Sequence, residues 1–202
     1  MSSFPWLSLA IWLPIVSGIG VLIQGARAAP QSVRRFALAG AIISFCTTLP
    51  LIFGFDANTS ALQFSEQFVW IERFNVHYRL GVDGISLWFV VLTALITVMV
   101  VIAAREDTIY RIAQYLAAFL ILSGLMIGVF SAQDGLLFYV FFEATLIPMV
   151  LIIGIWGGQR RVYAAFKFFL YTLLGSLLML LALLYLYMQS GSFALAEWQR
   201  LP

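Results

Sequence analysis

Apolar residues dominate the chain in long runs, and the polar positions fall almost entirely between them. A helix that spans a bilayer needs about 20 mostly apolar residues at 1.5 Å each. Six runs meet that requirement: Phe4–Ile23, Phe36–Phe55, Ile85–Ala104, Ile112–Phe130, Leu136–Ile155 and Tyr163–Met188. Each predicts a transmembrane helix. The gaps are short except for residues 56–83, which form a polar loop carrying Phe64, Phe68, Trp70, Phe74 and Tyr78. Aromatic side chains at that density favour the membrane–water interface. The pattern predicts an all-α membrane protein of about six helices, one transmembrane domain over residues 1–202.

Composition agrees with lipid as the solvent. The 202 residues are 63% hydrophobic and 10% charged, whereas a soluble domain carries about 25% charged residues. A net charge of +2 is too small to argue for nucleic acid. The single cysteine, Cys46, lies in an apolar run, which leaves no disulfide framework and no thiolate cluster for an iron–sulfur or zinc site.

Charge fixes the expected orientation. Arg27, Arg34 and Arg35 lie between the first two runs, Arg105 and Arg111 between the third and fourth, and Arg160 and Arg161 between the fifth and sixth. Lys167 lies just inside the sixth run. The alternate segments hold only Arg73, Arg79 and Arg200. The positive-inside rule makes the first set cytoplasmic, so the N-terminus and the loop 56–83 are expected outside. Ala26-Arg27-Ala28-Ala29 imitates a signal-peptidase site, but the first six residues carry no charge, which disfavours a cleaved signal.

Of nine acidic residues, only Glu143 sits well inside an apolar run, about seven residues or 10 Å from its outer end. An ionisable group at that depth costs several kcal/mol by insertion scales and marks function by default. A carboxyl so placed is suited to take up and release a proton; a neutral glutamic acid acting as interhelical glue is the bland alternative. Pro148, five residues on, has no N–H, so the Ala144 carbonyl loses its helical partner, a candidate lining for a hydrated path. Lys167 is weighed evenly between snorkelling to the headgroups and a place on a proton path. Depth arithmetic separates it from Glu143 by roughly 14 Å, too far for an ion pair, so either water joins them or the partner of Glu143 lies elsewhere.

Weaker features are structural. Gly124 with Gly128, and Gly175-Ser176, offer close helix contact. Thr93 and Thr97 stand one turn apart and can bond back to their own helix. Tyr139 lies one turn from Glu143. Asp83 suits a cap on the third helix. His77 has no Cys or His partner nearby in sequence, and no phosphate loop or nucleophile–base arrangement is visible.

The stretch Phe138-Tyr139-Val140-Phe141-Phe142-Glu143-Ala144-Thr145-Leu146-Ile147-Pro148-Met149 resembles the subunit M family of NADH:quinone oxidoreductase, respiratory complex I, called chain 4 in mitochondria. Gly81-Val82-Asp83-Gly84-Ile85-Ser86-Leu87, Ile155-Trp156-Gly157-Gly158 and Ala164-Ala165-Phe166-Lys167-Phe168-Phe169-Leu170-Tyr171-Thr172 agree in the same order. The resemblance covers the whole chain but about the first two-fifths of the family's length, so the chain reads as the N-terminal part of an antiporter-like bundle. It implies a proton-translocating subunit of the bacterial inner membrane, with the N-terminus periplasmic. NADH, FMN, iron–sulfur clusters and quinone would be bound by other subunits, and no cofactor by this chain. The expected partners are the other membrane subunits, above all the paralogous antiporter-like ones, and the lipid bilayer. In the family a lysine on the seventh helix pairs with the glutamate equivalent to Glu143; here it would lie past residue 202. A subunit of a multisubunit cation/proton antiporter is the alternative, because it shares the fold.

Overall fold

The computed structural model describes residues 4–59, 61–105 and 109–199. Six helices there are long and apolar enough to cross a membrane. They are α1 (Trp6–Gly25), α2 (Pro30–Phe53), α3 (Ser86–Ala103), α4 (Ile112–Ser131), α5 (Gly135–Trp156) and α6 (Arg161–Ser190). A one-turn helix, α7 (Leu195–Trp198), follows.

Two boundaries depart from the apolar runs for identifiable reasons. α2 begins six residues before the expected Phe36, because Pro30 occupies its first turn and needs no hydrogen-bond partner there. Arg34 and Arg35 therefore lie within the helix. α6 extends to Ser190 and stops where Gly191 turns into the left-handed region at φ 72°.

The expected loop 56–83 contains a β-hairpin. Strand β1 (Gln63–Ile71) pairs antiparallel with β2 (Val76–Val82), placing Glu66 opposite Leu80 and Phe68 opposite Tyr78. A 3₁₀ turn at Glu72–Phe74 and a left-handed Asn75 reverse the chain. Val76, Leu80 and Val82 are buried on one face, in keeping with the period of two.

The hairpin ties the ends of the bundle together. α1 has no capping side chain of its own, and the Glu66 carboxylate accepts instead from the Leu7 N–H at 2.8 Å and from Ser8. A carboxylate is favoured there by the helix dipole. Tyr78 completes the cluster, with its hydroxyl 3.1 Å from Ser8 Oγ and accepting from Trp12 Nε1 at 3.3 Å. Burial pushes the Tyr78 phenol up, beyond what its hydrogen bonds to Ser8 and Trp12 offset.

Before α3, Asp83 Oδ1 accepts from Ser86 N at 2.7 Å and from Ile85 N at 3.0 Å. The helix proper begins at Ser86, and Asp83 caps it from three residues upstream. The Ser86 backbone bond is the main reason its carboxyl is held below the usual carboxylate range. Because the folded state lowers this affinity for protons, the stabilisation is complete above the unfolded value near pH 4. It is lost as pH falls through the folded value. Asp83→Asn keeps an acceptor but cannot titrate. Melting curves in detergent between pH 3 and 7 should show a shallower acid decline for that variant; an identical decline would assign it to other carboxyls.

Two groups of buried side chains hold the bundle. Leu7, Ile11, Leu51, Leu80, Val90, Ile127 and Phe141 fill the hairpin end. Val21, Val33, Ala37, Val101, Leu116 and Leu120 fill the basic end. The two expected small-residue contacts divide their work. A Cβ on Gly124 would lie 2.4 Å from the Ile11 carbonyl oxygen of α1, while one on Gly128 would lie 2.6 Å from the Phe141 ring of α5. Gly175 has nothing within 4 Å, so the contact expected there falls on Ser176 alone. Thr93 and Thr97 bond back to the carbonyls of Phe89 and Thr93.

Candidate functional site

Helix α5 carries the candidate site, and its end next to the hairpin is fixed by several hydrogen bonds. Asp134, 1% exposed, caps it: Oδ1 accepts from Leu136 N at 3.0 Å and Leu137 N at 3.1 Å. Its other oxygen accepts from His77 N of β2 at 3.3 Å. Around it, Gln133 N donates to the Arg79 carbonyl, Gly135 N to that of Phe193, and Leu195 N to that of Gln133. The hairpin, the start of α5 and the segment before α7 are thus joined by backbone hydrogen bonds. Sequence reasoning set Asp134 outside the apolar runs, among the acids of loops and helix ends. An aspartate directly ahead of Gly135-Leu136-Leu137 was the available signal for the cap, but its reach to His77, 57 residues away, carries no local signature.

Glu143 lies eight residues into α5, about 12 Å from the capped end. Leu137, Phe141, Thr145 and Pro148 are buried on the side of α5 facing α4. At 100° per residue Glu143 lies nearly opposite Phe141. Gly154, whose Cβ position lies 3.5 Å from Ala165 of α6, is only about 20° round the helix from Glu143. Beyond it on the same side Val140, Ile147 and Leu151 are 41%, 68% and 48% exposed. Glu143 Oε2 is buried and has no hydrogen-bond partner.

Pro148 is buried about 140° round the helix from Glu143. With Leu22, Gln114, Ile121, Leu151 and Trp156 it lines a cavity of about 350 Å³. The side chains lining that cavity are apolar apart from Gln114 and the indole N–H of Trp156, which donates to the Tyr110 carbonyl at 2.6 Å. The structure does not bring Pro148 and Glu143 to one face.

Lys167 is exposed, with Nζ 5.9 Å from the centre of the Tyr171 ring. The Gly154–Ala165 contact sets the antiparallel register of α5 and α6. Eleven residues back along α5 and forward along α6 bring Glu143 level with Ser176. Lys167 is nine residues nearer the basic end, about 14 Å in depth. Nine residues also rotate it half a turn, so it points away from the α5 face. Among the described residues no ion pair joins it to Glu143.

Known proteins resemble this chain in sequence and in fold. The sequence profile of the family described as NADH:quinone oxidoreductase/Mrp antiporter, TM, matches residues 132–201, the segment that holds Asp134, Glu143, Pro148 and Lys167. NADH-quinone oxidoreductase subunit M of Rhodobacter capsulatus is 48% identical over 190 residues, 92% of this chain and 36% of the relative. The chain belongs to this antiporter-like membrane subunit family. Respiratory complex I from Thermus thermophilus, solved with bound NADH, superposes at a TM-score of 0.81 and 34% identity. The match covers 95% of this chain and 38% of that one. The Mrp complex from Dietzia sp. DQ12-45-1b superposes at 0.78 with 20% identity, covering 98% and 20%, a likeness of fold alone. The chain spans between 36% and 41% of the length of the subunit M and chain 4 relatives it matches. Membership accounts for the multi-pass helical architecture.

Proposed function

We propose that the chain forms the N-terminal part of a proton-translocating membrane subunit of an NADH:quinone oxidoreductase, and that Glu143 is its proton-coupling group. The observation that carries the reading is the Glu143 carboxyl itself. One of its oxygens is buried without a partner in a membrane-spanning helix, next to an open apolar face. A buried acceptor left unsatisfied is costly unless a proton or a cation completes it. The exposed flank of Val140, Ile147 and Leu151 is where a cationic side chain from outside the described residues would approach. Its approach favours the carboxylate and its withdrawal favours the carboxyl, which converts a movement of charge into proton uptake or release. Lys167, half a turn away and about 14 Å nearer the basic end, serves as an interfacial anchor.

In this reading NADH, FMN, iron–sulfur clusters and quinone are held by other subunits, and the partners are those membrane subunits, the paralogous antiporter-like ones first. The chain lies in the bacterial inner membrane with the hairpin and the N-terminus periplasmic. Labelling single cysteines at Arg34, Gln67 and Gln159, in a Cys46→Ser background, tests the orientation. Gln67 should react with an impermeant thiol reagent from the periplasm, and the other two from the cytoplasm; cytoplasmic labelling of Gln67 would invert the topology.

A multisubunit cation/proton antiporter is the second reading, supported by the fold shared with the Mrp complex. Affinity purification of the tagged chain from its native membranes separates the two. Co-purification of an NADH-oxidising, quinone-reducing assembly supports the oxidoreductase. A co-purified assembly that exchanges sodium for protons without NADH activity supports the antiporter.

A further inference from the structure

Ser176 is the hydroxyl that stands level with Glu143, and its burial is anomalous for its helix. α6 is open along most of its length and buries only Ala165, Ser176 and Leu183. These three lie on one stripe, because eleven and seven residues both return to nearly the same angle. The long helix packed on that stripe is α5. The Gly154–Ala165 contact fixes the register, so the part of α5 that covers Ser176 is the turn of Glu143. Ser176 is 2% exposed. Its hydroxyl now donates to the Leu173 carbonyl at 3.0 Å, while Glu143 Oε2 has no donor. A serine hydroxyl rotates about one bond and can choose between two acceptors.

We propose that Ser176 is a positioning residue whose hydroxyl turns from the Leu173 carbonyl to the Glu143 carboxylate when Glu143 gives up its proton. When the proton returns, the hydroxyl turns back. The serine O–H bond never breaks: the proton that moves is the one on Glu143, and Ser176 only redirects its own. A hydroxyl donor bonds a charged carboxylate more strongly than a neutral carboxyl. The inference rests on the reading of Glu143 as the proton-coupling group.

Other titratable groups on the packed elements stand apart from this pair. On α5, Tyr139 is one turn outward. On α6, Tyr171 and Lys167 lie towards the basic end, and Tyr185 and Tyr187 towards the hairpin end. α4 carries only Tyr115, near its basic end, and β2 carries His77, Tyr78 and Arg79 beyond the capped end of α5.

The test is NADH-driven proton uptake by inverted vesicles carrying the assembled complex, followed from pH 5.5 to 8.5. Ser176→Ala should move the acid limb of the profile up by about one pH unit, the scale of one hydrogen bond to a charged group. Ser176→Thr should restore the wild-type limb. If Ser176→Ala fails to assemble, Ser176→Cys, close in size and a weak donor, should shift the limb in the same direction by less. An unmoved limb in an assembled Ser176→Ala complex, or in Ser176→Cys where alanine does not assemble, would overturn the proposal. Glu143→Gln run in parallel separates the two ideas. If it abolishes pumping while the Ser176 variants keep the wild-type profile, only the role of Ser176 is lost. If it pumps normally, the reading of Glu143 fails first.

Discussion

Gly124→Ala should lower the amount of chain that accumulates in the membrane several-fold, although it adds a single methyl group. The added Cβ would lie 2.4 Å from the Ile11 carbonyl oxygen and 2.6 Å from the Ile15 side chain. The oxygen belongs to the backbone of α1, so no rotamer change relieves the clash, and α1 and α4 must move apart. They are the most extensively packed helix pair, and α1 carries much of the core at both ends through Leu7, Ile11 and Val21. Overpacking of this kind costs about 1–3 kcal/mol, and in lipid no hydrophobic force between helices compensates for lost contact. Gly175→Ala is the control. Nothing lies within 4 Å of its Cβ position, and alanine is the better helix former. It should accumulate at the wild-type level or above. Quantitative immunoblots of membranes, with thermal melts of the detergent-purified protein, check both. Equal stability of the two variants would remove close α1–α4 approach as a determinant of the fold.

The contrast between those glycines shows where sequence reasoning reached its limit. Periodicity marks a small residue, but not the helix it meets. Gly124 and Gly128, one turn apart, serve α1 and α5 respectively, and Gly175 serves neither. The six spans were legible because each is a continuous apolar run, and lipid demands about 20 such residues whatever the tertiary contacts. The hairpin was less visible. Buried Val76, Leu80 and Val82 alternate with polar neighbours, but seven residues of alternation amid scattered aromatics are a weak signal, and a long polar gap between spans reads as loop.

Glu143 stood out because ionisable residues are rare at that depth. Its setting did not. The opposed placement of Pro148 depends on helix phase, and the level of Ser176 depends on an interhelical register that only the Gly154–Ala165 contact reveals. Glu66 and Asp134 bind groups 59 and 57 residues away, and contacts of that range leave no mark on local pattern. Depth arithmetic did place Lys167 far from Glu143, since rise per residue suffices for depth. That Lys167 also faces away from α5 required the packing.

Glu143→Gln should leave assembly of the complex intact and remove most NADH-driven proton pumping. Glutamine has nearly the same shape and can hydrogen-bond, so a purely adhesive role would survive the change. It cannot ionise, so a role in proton coupling would not. Glu143→Asp keeps the ionisable group and shifts it by one methylene, and it should retain a substantial part of the activity. Lys167→Ala should do less harm than Glu143→Gln, because Lys167 is exposed and turned away from the site. The central claim therefore meets its most direct test in NADH-driven proton uptake by inverted vesicles, normalised to assembled complex, for wild type and Glu143→Gln. Loss of most of the uptake in an assembled complex is the predicted result. Wild-type uptake by Glu143→Gln would contradict the claim and leave Glu143 a structural hydrogen-bonding group.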